Sequence, residues 1–119
     1  MTRARPVRGA RLAVRKPWTA SYPDPLTVRA GEALTLTGRQ EMWEGHLWLW
    51  ARGPDGREGW VPDTLPDAEG RAGTAYSATE LTCAPGDTVT ALDRTHGWVR
   101  CRAADGTEGW VPETHLAPV

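Results

Sequence analysis

The chain has 119 residues, of which 39% are hydrophobic and 24% charged, and a net charge of −1, which allows one ordinary domain or two very small ones and excludes the large enzyme folds. Seven Trp, two Tyr and no Phe stand beside 13 Gly and 10 Pro. Trp is therefore the large apolar side chain, and the dense turn formers break any helical pattern before three turns, so the expected class is all-β with short strands.

From the N-terminus, residues 1–17 carry six basic side chains (Arg3, Arg5, Arg8, Arg11, Arg15, Lys16) and no acid, whereas the remainder carries eight basic and fifteen acidic ones. A flexible basic arm over residues 1–10 is expected, free to neutralise phosphates or anionic lipid, or to lie solvated against its own acidic body. It lacks the apolar run of a secretion signal. No stretch approaches 18 apolar residues, so no membrane span is expected. The two cysteines, Cys83 and Cys101, lack metal-ligand spacing and suit a reducing compartment, so the expected location is the cytoplasm.

Residues 33–37 alternate with period two as a half-buried strand, and residues 47–52 follow as a second. Asp55-Gly56 supplies a tight turn, and residues 58–61 return as a third strand stopped by Pro62. The same set then recurs at 88–92, 98–102, Asp105-Gly106, 108–111 and Pro112. Residues 55–62 read DGREGWVP and residues 105–112 read DGTEGWVP, agreeing at seven of eight positions, so the chain is a tandem duplication. Residues 26–32 match 81–87, and Trp18-Thr19-Ala20 stands opposite Tyr76-Ser77-Ala78. An offset of 50 aligns His46, Trp48 and Ala51 with His96, Trp98 and Cys101. The first copy is then longer by five residues between Leu36 and His46 and by three near Ser21-Tyr22-Pro23, and both insertions are expected to be loops. The expected organisation is the arm, a domain over 11–66, a linker over 67–71 and a domain over 72–119. Cys83 and Cys101, opposite Val28 and Ala51, are expected to be buried core thiols.

Each copy resembles an SH3 domain of the variant kind common in bacterial proteins. The second copy has Tyr76-Ser77-Ala78, Glu80-Leu81, Gly86-Asp87, Gly97-Trp98, Asp105-Gly106 and Gly109-Trp110-Val111-Pro112 in the family's order. The first has Trp18-Thr19-Ala20, Pro25-Leu26, Gly31-Glu32, Trp48, Asp55-Gly56 and Gly59-Trp60-Val61-Pro62, so the resemblance spans residues 12–65 and 72–117. It implies two consecutive five-stranded SH3-like small barrels, each binding an extended, proline-rich peptide along an aromatic strip, because a stiff polyproline II segment loses little entropy on docking. Carried over, the strip is Tyr76, Trp98, Trp110 and Pro112 in the second copy. In the first it is Trp18, Trp48, Trp60 and Pro62, with Tyr22 from the longer loop. Leu65 and His115 stand where the family has a tyrosine after the proline, so one wall of the groove is absent or altered and an unusual ligand is implied.

Trp48 and Trp98 are expected to be exposed for binding, on the strand face opposite Ala51 and Cys101. Trp60 and Trp110 suit either binding or packing, and Trp43 and Trp50 have no counterpart in the second copy. His46, His96 and His115 show no metal-ligand clustering, and neither Ser21 nor Ser77 has a base and an orienting partner beside it. The expected function is a non-enzymatic adaptor that binds a peptide or protein without cofactor or metal, its oligomeric state left open. Two other binding classes remain: a cell-wall (peptidoglycan) module, which requires export, and single-stranded nucleic-acid binding, which the basic arm favours and the acidic body opposes. A purely structural alternative has the copies bury their strips against each other.

Overall fold

The computed structural model describes residues 8–119; the part of the expected arm at 1–7 lies outside them. Ten strands follow in chain order: β1 (Arg11–Val14), β2 (Thr27–Val28), β3 (Thr35–Trp43), β4 (His46–Arg52), β5 (Glu58–Pro62), β6 (Tyr76–Ser77), β7 (Thr88–Thr95), β8 (Trp98–Arg102), β9 (Glu108–Pro112) and β10 (Leu116–Pro118). One 3-10 turn at Glu113–His115 precedes the last strand. The described chain is all-β, and its sheets are open rather than closed. Residues 8–10 are not a loose arm. The Gly9 amide donates to the Ala91 carbonyl at 2.7 Å, the Ala91 amide to the Ala10 carbonyl at 2.8 Å, and Arg8 Nη1 to the Leu92 carbonyl at 2.8 Å.

Two compact units form: the described part of Met1–Ser21 together with Glu80–Val119, and Tyr22–Thr79. The units cross the boundary between the repeats. In the first, a five-stranded antiparallel sheet runs in the order β10-β1-β7-β8-β9, with β1 between β7 and β10, so that Leu12 lies opposite Val89 on one side and Pro118 on the other. Leu12 and Val14 thereby enter a core with Leu81, Cys83, Val89, Val99, Cys101 and Val111. Both thiols are buried there and unpaired.

The second unit has a three-stranded sheet, β3-β4-β5, and a two-stranded ladder, β2-β6. Ala72 and Ala78 join a core made by Leu26, Val28, Leu34, Ala51, Val61 and Leu65. In the repeat alignment Val14 stands opposite Ala72 and Trp18 opposite Tyr76. Each repeat's opening segment therefore completes the core of the other repeat, and the units expected to be consecutive are interleaved along the chain.

The Asp-Gly turns form as expected. Gly53 N–H donates to Arg57 O at 2.9 Å and Ala103 N–H to Thr107 O at 2.8 Å, with φ of 87° at Gly56 and 90° at Gly106, the positive values that glycine adopts without steric cost. The five-residue insertion is not a loop. Its residues prolong the β3–β4 hairpin as far as the Trp43–His46 pair. The hairpin turns at Glu44-Gly45, with φ of 49° and 81°, and the β7–β8 hairpin turns at His96-Gly97, with φ of 51° and 83°. His46 thus begins β4 whereas His96 sits in a turn, which corrects the expected equivalence of these two histidines. The physical reason is that hairpin turns of this kind need two residues with positive φ, and the first copy places Glu44-Gly45 there.

Candidate functional site

Strand parity sets which tryptophans face away from the core. Ala51 points into the core of its unit, so Trp48 and Trp50 share the opposite face of β4, where they stand across the ladder from Pro62 and Trp60. The Trp50 and Trp60 rings lie 5.0 Å apart at 76°. Tyr22 adds a third ring, 5.5 Å from Trp50 at 69°. These edge-to-face spacings are the favoured ones for aromatic pairs, and all three rings remain half-buried.

Polar contacts fix the corner. The Trp60 amide donates to the Tyr22 hydroxyl at 3.3 Å, and the Tyr76 hydroxyl donates to the Trp60 carbonyl at 2.8 Å. Trp50 Nε1 donates to Glu58 Oε1 at 2.6 Å. The guanidinium carbon of Arg39, on β3, lies 4.9 Å from the Trp50 ring centre and 5.0 Å from that of Trp60. In the same unit Arg57 is gripped by Asp55 at 2.8 Å and Asp24 at 3.1 Å. Those hydrogen bonds raise the Arg57 pKa, while the Arg57 amide and then its guanidinium hold the Asp55 carboxyl below its usual range.

The other unit lacks such a corner. Arg100 stands where Trp50 would, opposite Trp110, and its Nη1 donates to Glu108 Oε1 at 3.1 Å, as Trp50 donates to Glu58. Trp110 and Pro112 are buried. Trp18 is set by Glu80, whose Oε1 accepts from Trp18 Nε1 at 3.0 Å and from the amide and hydroxyl of Ser21 at 2.9 and 2.8 Å. The Trp18 ring meets Trp98 edge-on at 5.2 Å and His115 at 5.4 Å.

Several expectations are corrected. Trp48 and Trp98 are only 7% and 9% exposed. Strand parity turns them away from Ala51 and Cys101 as expected, but neighbours cover them: the Trp18 ring in the case of Trp98, and Pro62 and Glu41 on either side of Trp48 across the sheet. The two implied strips are regrouped by the exchange of opening segments. Trp18 joins Trp98, Trp110 and Pro112 in one unit, and Tyr76 joins Tyr22, Trp48, Trp60 and Pro62 in the other. Trp50, Glu58 and Arg39 escaped the sequence reading. Trp50 shares its parity with Trp48, a usable signal, whereas Arg39 reaches the rings through a register shift between Leu36 and Gln40 that no sequence pattern announces.

Burial holds Cys101 far above the ordinary thiol range, at about 12, and desolvation also raises Cys83, so both stay protonated and unreactive at neutral pH. Among the described residues no group of three or more His, Cys, Asp or Glu side chains could hold a metal ion, and no helix is long and apolar enough to cross a membrane.

A family model described as a variant SH3 domain matches residues 14–65 and again residues 72–119. No curated protein and no solved structure matches the chain. Two matches in tandem span most of the sequence and include both Gly-Trp-Val-Pro strands and both Asp-Gly turns, so the chain belongs to the variant SH3 domain family.

Proposed function

We propose that the protein is a non-enzymatic binding module, its units SH3-like small barrels, that holds an extended peptide segment of a partner protein on the Tyr22–Trp50–Trp60 corner. The carrying observation is the contrast between the units: this corner keeps three half-buried rings at the surface, while Trp98, Trp110 and Pro112 of the other unit are buried. Flat rings at right angles offer slots for the ridges of an extended chain, and a proline-rich segment enters them with the least loss of freedom. Partly exposed aromatic side chains also combine apolar area with polar tips, as binding surfaces require.

The test is a panel of extended peptides, proline-rich and proline-free, titrated while tryptophan fluorescence is followed. Saturable binding that disappears in Trp50→Ala, with far-UV circular dichroism and melting temperature retained, is the expected result. A panel without a binder, or binding indifferent to Trp50→Ala, overturns the reading.

A further inference from the structure

The open corner already holds a cation. Arg39 places its guanidinium about equally close to the Trp50 and Trp60 rings, and its side chain makes no hydrogen bond or ion pair with any described residue. A guanidinium has five N–H donors in a rigid fork, so one held by ring faces alone is weakly retained in its place. Cation–π contacts at exposed sites are worth about 0.5–1 kcal/mol.

The backbone beneath Arg39 is built to let go. Between the Leu36–Ala51 and Gln40–Leu49 pairs, β3 spends residues 37–39 against Trp50 alone on β4. Gly38 in this bulge has a φ of 90°, and its Cβ position opens onto empty space. Arg39 can therefore swing without disturbing the pairs on either side. The equivalent irregularity in the other unit falls between Ala91 and Asp93 and spends one residue, Leu92, so the wider bulge belongs to the unit that has the open corner.

We propose that the Tyr22–Trp50–Trp60 corner is a guanidinium site, filled by Arg39 in the free protein and entered by an arginine of an extended peptide that displaces it. This rests on the peptide-binding reading above and names the ligand side chain. The slot fits arginine better than lysine because a planar, weakly hydrated guanidinium stacks on indole faces whereas an ammonium keeps its water. Trp50 lies outside the aromatic strip implied by the resemblance, and Trp48 within that strip is buried, so the site is particular to this chain. A resident cation of this strength lowers the apparent affinity for a competitor by about three- to sixfold.

The experiment uses one proline-flanked peptide made with arginine, lysine or citrulline at a single position, titrated against the parent protein and Arg39→Ala. The arginine version is expected to bind Arg39→Ala about fivefold more tightly than the parent, and the citrulline version, neutral at the same shape, to lose binding to both. Should Arg39→Ala prove poorly folded, Arg39→Gln takes its place. In the parent, the Arg39 Nε proton resonance, shifted upfield by the two indoles, is expected to move towards its free position as the arginine peptide is added. Equal affinity for parent and variant, or citrulline binding as well as arginine, overturns the proposal. If panel peptides bind but are indifferent to charge and to Arg39, the guanidinium site fails while peptide binding stands; if nothing in the panel binds either protein, peptide binding fails as well.

Discussion

Gly59 and Gly109 occupy the same place in the two Gly-Trp-Val-Pro strands, and each is required by a segment distant in sequence. A Cβ on Gly109 would lie 2.6 Å from the Glu80 carbonyl carbon and the Leu81 nitrogen, whereas one on Gly59 would lie 2.7 Å from the Ala78 Cβ. The first obstacle is backbone, pinned by the Leu81 amide donating to the Trp110 carbonyl at 3.0 Å; the second is a single methyl group. Overpacking of this kind costs about 1–3 kcal/mol. Gly109→Ala is expected at or above the top of that range and Gly59→Ala below it, with Ala78→Gly restoring most of the loss in the Gly59→Ala background. Urea unfolding of the variants measures this, and equal losses at the two glycines would sink the explanation. The repeat made both glycines visible in the sequence, but the reason for them was hidden, because residues 78–81 approach only in the folded chain. Trp48 and Trp98 show the same limit: parity with Ala51 and Cys101 was readable two residues at a time, while exposure depends on what else covers the face.

Among the elements, strands with clean alternation were legible almost to the residue. The strand expected at 98–102 is β8, and those expected at 58–61 and 108–111 gain only the closing prolines. β3 was not legible beyond its start, because residues 36–42 are exposed on both faces and so carry no two-residue period. The opening segments were legible as motifs but not as partners. Glu80 fastens one of them: its Oε1 takes three hydrogen bonds, from Trp18 and Ser21, across about sixty residues of chain. Hydrogen bonds to a charged acceptor are worth about 1.5–3 kcal/mol each when buried, less here because Ser21 is exposed. Glu80→Ala is expected to destabilise the protein by about 1–2 kcal/mol and to speed hydrogen exchange at the Trp18 indole N–H, while Glu80→Gln, which keeps an acceptor oxygen, loses less. An unchanged indole exchange rate in Glu80→Ala would remove Glu80 from this role.

For the whole molecule, the exchange of openers follows from side-chain volume. In the repeat alignment Leu12 and Val14 of the first opener stand opposite Gly70 and Ala72 of the second. The bodies are graded the other way: Val28, Leu34 and Leu65 in one unit correspond to Cys83, Val89 and His115 in the other. The bulky opener therefore completes the core containing Cys83 and Val89, and the small one completes the core containing Val28 and Leu34. That asymmetry was present in the sequence, but tandem similarity pointed to each copy closing on itself. The consequence can be tested with fragments. Residues 22–79 hold every strand of their unit and are expected to unfold cooperatively by themselves. Residues 67–119 retain only Gly70 and Ala72 as an opener, and losing a buried Leu side chain costs about 2–5 kcal/mol, most of what a domain this small possesses. That fragment is expected to show no cooperative transition alone and to regain one when residues 8–21 are added as a separate peptide, which would insert between β7 and β10. A fragment 67–119 that folds unaided and ignores the peptide would mean that the two cores do not select their openers.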